Sequence, residues 1–433
     1  MKKTIGEDIR IPPGTPLRRM QVLLRIFRQC WPILSWAAEN YRRSLVKKCH
    51  VVAVVGTFGK STASRCIAAA LGRDPERVSQ WNTKSFLARE ILRIRPNDRH
   101  RVIEVAIGGP GEMAPYAKMI RPDITVVMSI GSEHHDRLGS LERTRAEKYE
   151  MVRILPETGI AVLNGDDPYV GWMEEKTHAR VIRFGLGERN VVRASNIILD
   201  WPPGTRFTLH VADETYDMKV RLVGRPMVYS ILAGVAVAHA EGRTLPEVLP
   251  AMESLRPTRG RLQPIGLPNG AWIIRDDCKS TLETVDAALD VFSDIDAGNK
   301  IAVFGEIYDP PGSPDVIYER VGERLAEVSS RIILIGDEAS RQHYEAGIRR
   351  KGFPDESLVC VNGDITEAIE VLKRCLGPGD VALIKGSHRQ RLERISLSMS
   401  GRVVKCLLPY CNVKTSRCDH CSLLGRHWTT SKA

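Results

Sequence analysis

The stretch Gly56-Thr57-Phe58-Gly59-Lys60-Ser61-Thr62 follows the apolar run Val51-Val52-Ala53-Val54-Val55 and leads into a helix-forming segment from Ala63 to Leu71. A buried strand, a glycine turn and a helix N-terminus in succession make an anion site, because the first turn of a helix has N–H groups without internal partners. The expected ligand is a phosphate. Gly56, Thr57 and Gly59 shape the turn, Lys60 supplies a point charge for the outer phosphates, and Ser61 or Thr62 offers a hydroxyl to Mg²⁺. The usual phosphate loop has one more glycine upstream, where this chain has Val54, so the motif is a shortened form. An ordinary strand-to-helix turn would not need a lysine followed by two hydroxyl residues.

Around this motif, apolar runs alternate with helical stretches, the pattern of a mostly parallel sheet covered on both faces. Strands are expected at His50 to Val55, Val102 to Ile107, Ile124 to Ile130 and Gly159 to Leu163, then as shorter β segments over 190–222. Pro226 to Gly242 reads as an apolar helix, and a boundary follows near Arg256 to Leu262. The alternation resumes with strands expected at Trp272 to Arg275, Lys300 to Phe304, Arg331 to Ile335 and Val381 to Ile384. The fold class is α/β: a central phosphate-loop ATPase domain over 49–255 and a Rossmann-like C-terminal α/β domain over 256–400, preceded by a basic amphipathic segment (1–48) and followed by a cysteine-rich tail (401–433).

Leu17, Met20, Leu24, Phe27 and Trp31 recur at helical spacing with arginines between them, and Pro32 should divide the helix. This face either packs on the ATPase domain, the reading favoured here, or touches a membrane surface through residues 15–48. A chain of 433 residues can hold two or three domains. A net charge of +11 suits anionic substrates, but it is concentrated near the two ends and gives no reason of its own to expect nucleic acid. With no secretory signal or membrane-length apolar run, and with scattered cysteines, a cytoplasmic setting is expected.

Glu104 stands in the apolar run Val102-Ile103-Glu104-Val105-Ala106, where an ionised carboxylate is costly unless paired or bound to metal. Mg²⁺ favours such hard oxygen ligands. Taken in order, GTFGKST, EVAIGGPGEM, SIGSEHHDRLGSLERTRAEKYEM, LPETGIAVLNGDDP, RGRLQPI, RDDCKST, VFGEI and LIKGSHRQRLERI resemble the Mur ligase family, and within it the branch that adds D-alanyl-D-alanine. The resemblance runs from about 49 to 398. It implies an ATP-dependent amide ligase that works through an acyl phosphate and joins a carboxylate acyl acceptor to an amino acid or dipeptide. It further implies a second metal site at His134 and Lys148, the lysine carbamylated. Read alone, Lys148 in RTRAEKYE looks like a solvated lysine. Arg261, Asp276, Asp277 and Lys385 resemble segments that close over nucleotide and amino-acid substrate; by themselves, the paired aspartates read equally well as a turn.

Three features depart from the family pattern. Only about 50 residues precede the phosphate loop, where peptidoglycan enzymes carry a UDP-sugar-binding domain. Gly224-Arg225-Pro226-Met227 and Cys278-Lys279-Ser280-Thr281 replace nucleotide-side segments of relatives. Cys406, Cys411, Cys418 and Cys421 offer four thiols for a tetrahedral Zn²⁺ site, with unliganded cysteines as the equal alternative. Two rival functions follow from these departures: a poly-γ-glutamate-type amino-acid ligase, and an ATP-binding scaffold that has lost ligation.

Overall fold

The computed structural model describes residues 15–132, 135–411, 413 and 417–427, those of His135 by its backbone alone. It divides into two compact units, Arg25–Pro257 and the chain before Arg25 together with that after Pro257. The first unit holds an eight-stranded sheet of β1 (His50–Val55), β2 (His100–Glu104), β3 (Ile124–Val127), β4 (Ile160–Asn164), β5 (Arg180–Gly185), β6 (Val192–Asp200), β7 (Gly204–Val211) and β8 (Glu214–Val220). Their order is β2-β1-β3-β4-β5-β6-β7-β8. The pairs from β2 through β6 are parallel, and β7 and β8 are added antiparallel.

Alternation along β1 explains the layering. Val52 and Val54 face a core shared with α3 (Lys60–Ala70) and a long apolar helix, Arg225–Ala240. Val51, Ala53 and Val55 face the opposite core, built with the helices Trp31–Ser44, Ser85–Leu92, Met113–Ile120 and Leu141–Arg153. Because β1 is buried on both faces, its sequence is apolar without a break. The chain leaves β1 for β2 on one side and returns to β3 on the other. This is the topological switch at which α/β sheets bind ligands, at the carboxyl ends of the strands.

The N-terminal segment forms α1 (Pro16–Gln29) and α2 (Trp31–Ser44), parted at Cys30 with Pro32 in the first turn of α2. Proline is tolerated in that first turn because its missing N–H would have no partner there. α2 is fastened to the sheet by Arg42, whose guanidinium donates to Asp123 Oδ2 at 2.7 Å and to the carbonyls of Ile120, Arg121 and Val46. Among the described residues no helix is long and apolar enough to cross a membrane.

The second unit contains β9 (Gln263–Gly266), β10 (Trp272–Asp276), β11 (Lys300–Phe304), β12 (Arg331–Ile335), β13 (Leu358–Val361) and β14 (Val381–Lys385) in the order β13-β12-β11-β14-β10-β9. All pairs are parallel except β9 with β10. The tail is part of this unit. Arg394, 1% exposed, donates to the carbonyls of Cys406 at 2.9 Å and Leu408 at 2.6 Å. Arg275 grips Asp419 with two bonds of 2.8 and 2.7 Å and Asp277 with a third of 2.7 Å.

Cys421 packs in one cluster with Cys411 and in another with Cys418, but no three of the four tail sulfurs lie within 4.8 Å of one another. Among the described residues, the one group of three or more metal-ligating side chains whose donor atoms lie within 4.8 Å of one another is elsewhere, at His50, His100 and Glu241. All ten cysteines are free. Cys411 and Cys421 pack with Leu17, Val413 and Leu423, and Cys418 with Leu397 and Leu424. Burial pushes the Cys418 and Cys421 thiols up. The segment is held by buried arginines on its backbone.

Burial raises the Asp419 carboxyl, but hydrogen bonds and charge from Arg275 outweigh it and hold the carboxyl below its usual range. A depressed folded pKa stabilises above the unfolded value of about 3.9 and loses that contribution as pH falls through the folded value. Asp419→Asn should therefore flatten the acid limb of a urea-midpoint-versus-pH curve. Asp419→Ala should cost about 3 kcal/mol at neutral pH, the low end for breaking a buried pair, because Asp277 still partners Arg275.

Candidate active site

The phosphate loop sits at the carboxyl end of β1 and is fastened to the chain that leaves β3. Thr57 N donates to Ser129 O at 2.9 Å, and the Ser129 hydroxyl accepts from Phe58 N at 3.0 Å and donates to Phe58 O at 3.1 Å. Thr57 Oγ1 in turn accepts from Gly131 N at 2.8 Å. The two glycines are required by this close approach. A Cβ on Gly56 would stand 3.0 Å from Met128 Cβ and 3.1 Å from Ser129 N, and Gly59 caps α3 with φ +83°, a left-handed conformation.

Lys60 folds back over the loop. Its Nζ donates to the carbonyls of Gly56 at 2.7 Å and Thr57 at 3.2 Å. An ammonium has three donors, so one remains for an anion, and the charge is already at the helix N-terminus. Ser61 and Thr62 are buried in the first turn of α3.

Glu104 ends β2 as the register partner of Val54, beside the strand that opens into the loop. It is buried, and Oε1 accepts from Asn82 Nδ2 at 2.8 Å. Oε2 is buried with no hydrogen-bond partner. A buried, unsatisfied carboxylate oxygen is costly unless a cation completes it, and hard oxygen donors are what Mg²⁺ takes. The residues thus fit the metal that a nucleotide triphosphate brings.

Lys148 lies on the helix Leu141–Arg153 and is buried, not solvated. It belongs to the stripe Thr144, Lys148, Met151 and Val152, the inward face of an otherwise charged helix. Beside this helix, Arg137, Arg143 and Glu147 line an open groove of about 490 Å³. His134 lies outside the described residues.

The other unit carries the remaining candidates. Lys385 is fully buried, donating to Asp276 Oδ2 at 2.6 Å and to Lys279 O at 2.9 Å, and Asp276 Oδ1 accepts from Leu262 N at 3.0 Å. Asp277 pairs with Arg275; burial pushes its carboxyl up, against the pull of that guanidinium. Arg261 is half-buried beside this group in the chain. Asp276 thus ties the end of β10 to that of β14, while Asp277 braces Arg275 of its own strand.

Four positioning roles escaped the sequence reading, although Ser129 opens the quoted motif SIGSEHHDRLG. Asn82 orients Glu104, and Ser129 latches the loop. Asn164 donates to Met128 O at 2.9 Å, and Asp167 caps the helix Pro168–Glu174 while accepting from Ile130 N at 2.8 Å. Only the run NGDDP hinted at the last two.

Family models of the Mur ligase middle domain and of the Mur ligase glutamate ligase domain match residues 54–238 and 260–388, together well over half the chain. The chain belongs to the Mur ligase family. The expectation of an ATP-dependent acid–amino acid ligase is thereby borne out at the level of the family. A UDP-N-acetylmuramoyl-tripeptide–D-alanyl-D-alanine ligase of Mycobacterium tuberculosis is 27% identical over 366 residues, which are 80% of this Mur ligase and 72% of the relative. Among solved structures, MurF from Acinetobacter baumannii superposes with a TM-score of 0.75 at 22% identity, covering 86% of this chain and 81% of that one. MurF from Thermotoga maritima in complex with ADP gives 0.73 at 23% identity, covering 86% and 83%. The α/β fold expected for this Mur ligase is the fold of these structures.

Lys60→Ala should weaken an ATP analogue about 10- to 100-fold, the worth of a charge-assisted hydrogen bond, when binding is titrated calorimetrically. Unchanged affinity would place the nucleotide elsewhere.

Proposed function

We propose that this chain joins a carboxylate to an amino acid or dipeptide at the expense of ATP. The UDP-muramoyl tripeptide and D-alanyl-D-alanine named for its relatives are the first candidate pair. The observation that carries the reading is Glu104 with a buried, partnerless oxygen beside the phosphate loop, since binding of a phosphate alone would not require it.

The acyl substrate's carboxylate oxygen attacks the γ-phosphorus, the bond to the β-phosphate oxygen breaks, and ADP leaves. The resulting acyl phosphate is attacked by the amine, which loses a proton as the amide forms and inorganic phosphate departs. Lys60 and the N–H groups of α3 stabilise the charge on the transferring phosphoryl group. Ser61 and Glu104 would hold Mg²⁺, which when bound neutralises phosphate charge. Lys148, carbamylated, would join His134 in a second cation site as the family resemblance implies. Its place on the inward stripe of the helix, out of bulk solvent, supports this. No nucleophilic side chain is needed. A cytoplasmic setting suits substrates of this kind.

The described part of the N-terminal segment adds a peripheral membrane contact to the proposal. α2 packs on the first unit through Ala38 and Arg42, yet Met20, Leu23, Ile26, Ile33 and Trp36 stand exposed on α1 and α2. Besides the buried Arg42 there are seven basic residues between Thr15 and Lys48, against one acid, Glu39. An apolar and cationic surface of this kind complements an anionic lipid surface.

Phosphate release from ATP, followed with Mg²⁺ and bicarbonate across acceptors and amines, should require both substrates and give a condensed product by mass spectrometry. Lys148→Ala should lose turnover and recover part of it with added short carboxylates. ATP consumption independent of any acceptor would refute ligation. Separately, the protein should sediment with vesicles containing anionic lipid but not with neutral ones, and Leu23→Glu with Trp36→Glu should abolish this; equal sedimentation of wild type and variant would remove the membrane reading.

A further inference from the structure

A second cluster of ligand groups lies in the first unit, at the opposite end of β1 from the phosphate loop. His50 and His100 begin β1 and β2 and are partners in the parallel register. Register partners point to the same face of a sheet. Their rings stand 6.0 Å apart, centroid to centroid, at 88°. His50 shares the parity of Val52 and Val54, so it faces the side covered by the helix Arg225–Ala240, and Glu241 follows directly as the cap of that helix.

Glu241 lies between the two rings. Its Oε1 is 3.0 Å from His50 Nδ1 and its Oε2 is 2.9 Å from His100 Nε2. The three donor atoms lie within 4.8 Å of one another. The Glu241 and His100 side chains are largely buried, at 12% and 15% exposure, while His50 is 55% exposed, so the cluster is anchored on one side and open to water on the other. With β1 rising about 3.3 Å per residue, the cluster is roughly 17 Å from the phosphate loop, and no step of the proposed reaction uses it.

Two imidazoles and one carboxylate with donor atoms this close together form a donor set for borderline divalent ions. Zn²⁺ binds histidine nitrogen and carboxylate oxygen at about 2.0–2.2 Å, which sets neighbouring donors about 3.3 Å apart in a tetrahedron. The observed nitrogen-to-oxygen spacings need only a few tenths of an ångström of adjustment. Mg²⁺ prefers oxygen donors, so it would not compete with the nucleotide site for this one. The three residues come from widely separated parts of the chain, and the helix that carries Glu241 packs on α3, the helix of the phosphate loop.

We propose that His50, His100 and Glu241 bind a divalent transition metal of the Zn²⁺ class, with water completing the shell, and that the ion fastens the helix Arg225–Ala240 to the amino ends of β1 and β2. A ligand that binds only the folded state stabilises it, so occupancy should raise the melting temperature.

The test uses the full chain, stripped with chelator and titrated with Zn²⁺ against a chromophoric competitor, then with Co²⁺ followed by absorbance. The tail thiols are the rival site, and thiolate ligation would show an intense sulfur-to-cobalt charge-transfer band that nitrogen and oxygen ligands lack. The expected result is one equivalent of Zn²⁺ that persists in a Cys418→Ser, Cys421→Ser variant, no charge-transfer band, and a metal-dependent rise in melting temperature. His50→Gln, at the exposed member, should preserve the fold and weaken binding at least about tenfold. Glu241→Gln should do the same and abolish the thermal shift. The proposal is overturned if the wild type binds no equivalent, if the bound ion disappears with the cysteines, or if both glutamine variants bind as the wild type does.

Discussion

The latch between the phosphate loop and the end of β3 is the contact on which the rest of the catalytic body depends. A glycine turn with free N–H groups would be floppy by itself, and a floppy anion site spends its binding energy on ordering the loop. Ser129 removes that loss by taking an N–H and a carbonyl of Phe58 onto one hydroxyl, with Thr57 and Gly131 adding a second clasp. Asp167 and Asn164 hold the β3 segment from the other side. The loop is thus fixed by residues from three strands, and Lys60 rests on its own loop carbonyls at the site where phosphate charge would arrive. Little reorganisation is left for the moment of reaction.

Much of the fold was legible because the strands that matter are buried on both faces and read as unbroken apolar runs. β1, β11 and β12 fall where the sequence placed them. The strands that were not foreseen lack this signature. β9 carries Pro264 and Gly266 and runs antiparallel at an edge, where a missing donor is tolerated, so its four residues look like a turn. β5 has Arg180 and Arg183 among its residues, and β13 is short and half-buried.

The site was legible where one residue contradicts its local surroundings, as Glu104 does in an apolar strand. It was hidden where function depends on contacts between distant parts of the chain. Ser129 reaches a loop about 70 residues earlier, and although it opens the motif SIGSEHHD, nothing in that motif displays the contact. Lys148 misled for another reason: its charged neighbours dominate the composition, while the inward stripe from Thr144 to Val152 shows only when the helix period is applied. The tail cysteines stand out in the sequence by type, whereas the arginines that hold the tail act on its carbonyls, which a sequence does not display.

That arrangement also bears on the order in which the second unit can form during synthesis. Its sheet, β9 to β14, is complete once Lys385 has been made, yet Arg275 in β10 and Arg394 beyond β14 are still without Asp419 and the carbonyls of Cys406 and Leu408. A domain emerging from the ribosome would therefore hold Arg275 with Asp277 alone, and Arg394 without its tail carbonyls, until the segment around Asp419 has emerged. For that interval the nascent unit is a compact but unfinished intermediate, exposed to chaperones and to mispairing, while the first unit, upstream, is already free to fold.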